Sequence, residues 1–84
     1  LRIGYVSADF RIHPVGFFLD RVLPAHDPGQ VEIVLYSAMN YADALTERLR
    51  AAAAGWRMIS GLNDAQVRRM IAEDRIDILV DLAG

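Results

Sequence analysis

Short apolar runs alternate with amphipathic ones along this chain. Arg2 to Ser7 holds Ile3, Tyr5 and Val6 and predicts a buried strand. Val15, Phe18, Leu19 and Val22 follow at i, i+3, i+4 and i+7, the apolar stripe of a helix. Pro24 and the Asp27-Pro28-Gly29 cluster are expected to end that helix and turn the chain. Val31 to Ser37, rich in β-branched residues, predicts a second strand. Asn40 to Asp43 opens a second helix with Leu45, Leu49 and Ala52 on its apolar face, and Gly55 stands where a helix C′ residue belongs. Trp56 to Ser60 is a weak edge strand with Trp56, Met58 and Ser60 on one side. Asn63 and Gln66 have capping-box spacing, ahead of a helix lined by Val67, Met70 and Ile71 with Arg68, Arg69 and Glu73 outside. Ile76 to Leu82 is the last strand.

The order β-α-β-α-β-α-β predicts the α/β class: a mostly parallel sheet with helices on both faces. No repeat, linker or internal boundary divides residues 1–84. Right-handed crossovers favour a Rossmann-like arrangement with the first and last strands adjacent near the centre of the sheet. The ligand crevice of such a sheet lies at the carboxyl ends of its strands. The loop Ala8 to Pro14 and the end Asp81 to Gly84 are both expected there.

Composition narrows the class. A hydrophobic fraction of 54% argues against disorder. A net charge of −2 gives no electrostatic footprint for nucleic acid. The absence of Cys rules out disulfides and thiolate metal sites. No apolar run approaches the ~20 residues that span a bilayer, so no membrane partner is expected and a cytoplasmic location is the default. The chain starts at Leu1, directly before a strand, and stops at Gly84, directly after one. Both ends suggest cuts through a longer polypeptide, so a fragment is expected.

The chemistry concentrates in Asp9-Phe10-Arg11-Ile12-His13-Pro14-Val15-Gly16, a loop between a strand and a helix. Pro14 suits the first helical turn. His13 has two readings. The commoner one is a loop histidine that hydrogen-bonds the backbone. The functional one uses the positive end of the following helix, which disfavours imidazolium and leaves a neutral ring able to accept a proton. The second ring nitrogen then needs an acceptor, and Asp9 is near in sequence. Asp9 is equally an Asx-turn residue or a salt-bridge partner for Arg11. Gly16 allows either close backbone approach to a ligand or close helix–strand packing. Asp81 either faces the crevice or caps a following turn, whereas Asp77 belongs to a solvated strand start. His13 and His26 lack ligand spacing, so no metal is expected. Gly4-Tyr5-Val6-Ser7-Ala8-Asp9 is not a dinucleotide fingerprint, there is no Lys for a Walker loop, and neither Ser7 nor Ser37 sits in a nucleophile elbow. His26 is expected in an exposed turn, and Trp56, Met58 and Met70 fit packing positions.

Taken whole, Leu1 to Gly16 resembles the opening of the catalytic region of O-linked N-acetylglucosamine transferases, the group that includes the plant SPINDLY proteins. Glu32 to Ser37 and Asp74 to Gly84 match the same family in order and spacing. The resemblance implies a GT-B glycosyltransferase with two Rossmann-like domains facing a cleft, this chain being the first part of the amino-terminal one. It also implies a bacterial parent with tetratricopeptide repeats upstream. The donor would be UDP-GlcNAc, a substrate rather than a cofactor, held mainly by the second domain. The acceptor would be a protein or peptide whose Ser or Thr hydroxyl attacks the anomeric carbon with inversion. In the D-F-x-x-H-P motif the histidine is the proposed base, a role that passes to His13. Asp9, Pro14, Gly16 and Asp81 become the candidate substrate-binding positions. Two other readings remain: a non-catalytic α/β binding module, and a GT-B transferase with a different sugar donor.

Overall fold

The expected alternation appears in the computed structural model, which describes residues 1–82: β1 Arg2–Ser7, α1 Pro14–Ala25, β2 Glu32–Ser37, α2 Ala44–Ala52, β3 Gly55–Met58, α3 Asp64–Glu73 and β4 Ile78–Asp81. All strand pairs are parallel, in the order β3-β2-β1-β4. β1 and β4 are neighbours as expected, with Ile3 opposite Ile78 and Val6 opposite Asp81. The expected central place holds for β1 alone; among the described residues β4 is an edge.

Strand alternation sends side chains to opposite faces. Ile3, Tyr5, Ile33, Leu35, Trp56 and Val80 meet α1 and α2 through Leu19, Leu23, Leu45 and Leu49. On the other face Val6, Val34 and Tyr36 meet α3 through Val67, Met70 and Ile71. Arg48 of α2 grips Asp20 of α1 through two nitrogens, at 2.9 and 2.6 Å.

Several sequence expectations need correction. α1 buries Gly16, Leu19 and Leu23, and Phe18 is half exposed beside Phe17. Pro24 does not stop the helix; it lies in the final turn. A proline so close to the end forfeits a backbone bond without having to bend a long following segment. Gly55 is not a C′ residue. The chain leaves α2 through an extended Ala53, which needs no left-handed glycine, and Gly55 opens β3. A Cβ there would stand 3.3 Å from both methyls of Val34. Met58 is exposed rather than packed. The last strand starts at Ile78, because Asp77 is engaged with the start of β1: its carboxylate accepts from the Arg2 N–H at 2.7 Å and its own N–H reaches the Arg2 carbonyl at 2.8 Å.

The return of α3 across the second face is fastened at its C-cap. Asp74 accepts from the Tyr36 hydroxyl at 2.6 Å and from Arg57 Nη2 and Nε at 2.5 and 3.1 Å. Tyr36 crosses over Gly4, where a Cβ would come within 3.0 Å of its ring. Burial, then the bond to Asp74, pushes the Tyr36 phenol up, so the hydroxyl stays a donor. The Arg57 bonds hold the Asp74 carboxyl below the usual carboxylate range against its own burial. A carboxyl lowered in the folded state stabilises above its unfolded pKa of about 4 and loses that contribution as pH falls through the lower folded value. Asp74→Asn should therefore destabilise the chain at neutral pH by about 1–2 kcal/mol, a value kept small by the half-exposed guanidinium. Urea titrations at pH 7 and pH 3 check this, with the gap between the two proteins narrowing at the lower pH.

Candidate active site

The sheet order reverses between β1 and β4, and a crevice outside the carboxyl ends of the strands belongs at that reversal. The loop after β1 occupies this edge. Its exit is set by paired serines. Ser7 and Ser37 stand opposite each other at the ends of β1 and β2, both fully buried. Each hydroxyl accepts from the backbone N–H two residues on, Asp9 at 2.9 Å and Met39 at 3.2 Å. These bonds turn both strands out of the sheet, a structural duty for serines that have no nucleophile-elbow context.

Past Ser7 the loop is pinned on several sides. The Phe10 ring is buried and packs against Trp56, with centroids 5.7 Å apart. The Thr46 hydroxyl donates to the Phe10 carbonyl at 2.6 Å. Asp43 accepts from the Ile12 N–H at 2.8 Å. The loop then folds against the first turn of α1, where Gly16 lies under the Arg11 carbonyl: a Cβ at Gly16 would come 1.8 Å from that oxygen. The close approach at Gly16 is made by the loop's own backbone, with Leu45 alongside.

His13 is the N-cap of α1, in extended backbone, with Pro14 opening the helix. Its Nδ1 accepts from the Val15 N–H at 3.1 Å. This is the backbone-bonding reading of His13, and it fixes the chemistry of the ring. A nitrogen that accepts carries no proton, so the neutral ring has its proton on Nε2. Nε2 lies 3.9 Å from Asp9 Oδ2, and about a third of the side chain is open to solvent. Asp9 holds Arg11 through Nε and Nη2 at 3.3 and 3.0 Å, so the salt-bridge reading of Asp9 is realised.

Asp81 shares the sheet edge but not the loop's face. It pairs with Val6 and lines an open groove of about 600 Å³ with Ser60, Gly61, Asp64 and Arg68, on the α3 side. Leu82 lines a hollow of about 280 Å³ with Pro14, Val15 and Phe18 of α1. Ala83 and Gly84 lie outside the described residues. His26 caps the carboxyl end of α1, half-buried rather than exposed. Among the described residues no group of three or more His, Cys, Asp or Glu could hold a metal, and no helix is long and apolar enough to cross a membrane. Sequence reasoning missed Asp43 and Thr46. The D-x-x-T spacing that starts α2 was the available signal, since it is a capping-box variant.

Fold and loop together define an open, doubly wound α/β domain with a histidine at its topological switch point. The chain belongs to glycosyl transferase family 41, whose sequence profile it matches over residues 1–84. A probable UDP-N-acetylglucosamine–peptide N-acetylglucosaminyltransferase SPINDLY from Petunia hybrida is 41% identical over 88 aligned positions, covering all of this chain and 9% of that protein. The Caenorhabditis elegans UDP-N-acetylglucosamine–peptide N-acetylglucosaminyltransferase is 30% identical, covering all of this chain and 8% of that protein. A solved mutant of Thermobaculum terrenum O-GlcNAc transferase superposes with a TM-score of 0.94 at 51% identity, over 98% of this chain and 16% of that one. The chain thus spans about a tenth of the length of the curated relatives it matches.

Two outcomes are expected from this geometry. Imidazole nitrogen NMR at a pH where His13 is neutral should show the Nε2–H tautomer; a dominant Nδ1–H form would contradict the cap. Gly16→Ala should cost about 1–3 kcal/mol in a urea titration, because the Arg11 carbonyl is backbone and must move with the loop.

Proposed function

We propose that this chain is one wall of the active site of a protein O-glycosyltransferase that moves N-acetylglucosamine from UDP-GlcNAc to a Ser or Thr hydroxyl. The observation that carries the reading is the place of the D-F-x-x-H-P histidine: His13 sits at the switch point of the sheet with Nε2 directed away from the helix cap. The activities for which the matched relatives are named support the substrate class. In the same reading the parent is a bacterial GT-B enzyme with tetratricopeptide repeats upstream and a second Rossmann-like domain that binds the nucleotide.

In the reaction the acceptor oxygen bonds to the anomeric carbon, the bond from that carbon to the UDP oxygen breaks with its electron pair going to UDP, and the hydroxyl proton passes to Nε2 of His13 once the ring has shifted its own proton to Nδ1. Charge develops on the ring as in glycoside hydrolysis. With Nδ1 committed to Val15, His13 meets the acceptor as an Nε2–H donor and orients its oxygen. Taking the hydroxyl proton on Nε2 requires the ring to move its own proton to Nδ1 and release the helix cap. Asp9, on the Nε2 side, favours the tautomer already present.

His13→Ala in the full-length protein should lower kcat by at least about 10²-fold while leaving UDP affinity nearly intact. Steady-state kinetics with UDP-GlcNAc and a Ser/Thr peptide, beside UDP titration, measure both. Near-normal transfer by the variant would remove His13 from the mechanism. Saturable binding of donor and peptide by the wild-type protein without turnover would make this a binding module instead. The isolated chain should transfer no sugar; if it did, the one-wall reading would be wrong.

A further inference from the structure

We propose that Asp43 is a positioning residue for His13, tying the loop that carries the histidine to the start of α2. The inference rests on the reading of His13 as an active-site residue.

Asp43 does two separable jobs with its two oxygens. Oδ1 caps α2, accepting from the Thr46 N–H at 2.9 Å, while Thr46 Oγ1 returns the favour by accepting from the Asp43 N–H at 3.1 Å. Any good N-cap residue with one oxygen would satisfy that helix end. Oδ2 is surplus to capping, and it accepts from the Ile12 N–H at 2.8 Å, across 31 residues of sequence. Ile12 immediately precedes His13, so this bond holds the Arg11–Ile12 peptide unit, one residue ahead of the Cα from which the imidazole projects. The carboxyl is held below the usual carboxylate range, first by the Ile12 bond and then by the Thr46 bond, so it stays a double acceptor at neutral pH. The neighbouring tethers act on other groups, one of them the carbonyl of the same peptide unit. The Thr46 hydroxyl holds Phe10, and Gly16 admits Arg11. Ile12 itself is an exposed side chain with no apolar anchorage, so its backbone bond to Asp43 is what secures the last step before the histidine.

The test uses the full-length protein. Asp43→Ser keeps a capping oxygen but is too short, with one oxygen, to hold Ile12. Asp43→Asn keeps the cap through its carbonyl and turns an NH₂ toward the Ile12 N–H, donor against donor. Both should lower kcat about 10- to 100-fold, the scale of a displacement near 1 Å, with KM for UDP-GlcNAc within about twofold and the melting midpoint within a few degrees. The deciding readout is the pairing with His13→Ala. If Asp43 acts through His13, the double variant Asp43→Ser/His13→Ala should be no slower than His13→Ala alone. An equal proportional loss in both backgrounds overturns the proposal, because a merely structural role acts whether or not the imidazole is present. Wild-type kcat in Asp43→Ser beside an impaired His13→Ala overturns it as well. A large fall in melting midpoint in both Asp43 variants would make Asp43 a fold residue and end the proposal. An unimpaired His13→Ala is a different failure: it shows in the single histidine variant and removes the functional reading beneath.

Discussion

The constraint on which the rest depends is the handedness of the crossover between parallel strands. α1 and α2 carry the chain from β1 to β2 to β3 across one face of the sheet. To bring β4 to the other side of β1 with the same hand, α3 must cross the opposite face, and it does. That return creates the reversal of strand order, and the reversal leaves the carboxyl end of β1 without a crossover helix directly above it. The details that look local serve this return. Gly4 lets Tyr36 lie across β1, Tyr36 and Arg57 meet at Asp74, and Asp74 is where α3 ends.

Periodicity was enough for the order and type of every element, because each apolar run must bury one face. It was less informative about where the elements stop. Pro24 and Gly55 carry strong local signals, yet Pro24 sits inside α1 and Gly55 inside β3. In both places tertiary contact outweighs the local preference. Leu19 and Leu23 bury the last turns of α1, and the Val34 methyls crowd the space a side chain at Gly55 would take. Phe18 misled for a related reason. Its spacing fits the stripe, but the stripe that packs runs through Gly16, Leu19 and Leu23, since Gly16 must sit under the Arg11 carbonyl. The Asp9–Gly16 loop was readable as a candidate site, through its motif and its place after β1. Its support was not, because Asp43 and Thr46 are distant in sequence and reach the loop through backbone groups, which leave no mark on residue pattern.

His13 serves structure as a helix cap and, under the proposed function, chemistry as well. The two readings of the histidine compete only if the ring is treated as one group. Nδ1 satisfies the Val15 N–H at the start of α1, and this bond fixes ring orientation and tautomer. Nε2 is thereby the nitrogen left to face outward, past Asp9. A helix cap is a stiff mount, since rotating the ring away strands a donor at the helix terminus. The same stiffness limits the ring to donation until that bond is released.

Under the proposed function, the charge around the loop indicates what this wall of the site would contribute. A departing diphosphate needs preorganised positive charge to stabilise it. Arg11 is the cation nearest His13 in sequence, and both its Nε and Nη2 are turned onto Asp9. Arg50 lies over the Trp56 ring, 5.9 Å from its centroid. The carboxylates of Asp9, within the loop, and Asp43, bonded to its Ile12 N–H, bring negative charge to it. An edge arranged in this way suits a neutral nucleophile such as a hydroxyl, which needs orientation more than neutralisation. The electrostatic work on a nucleotide diphosphate then falls to groups outside the Asp9–Gly16 loop.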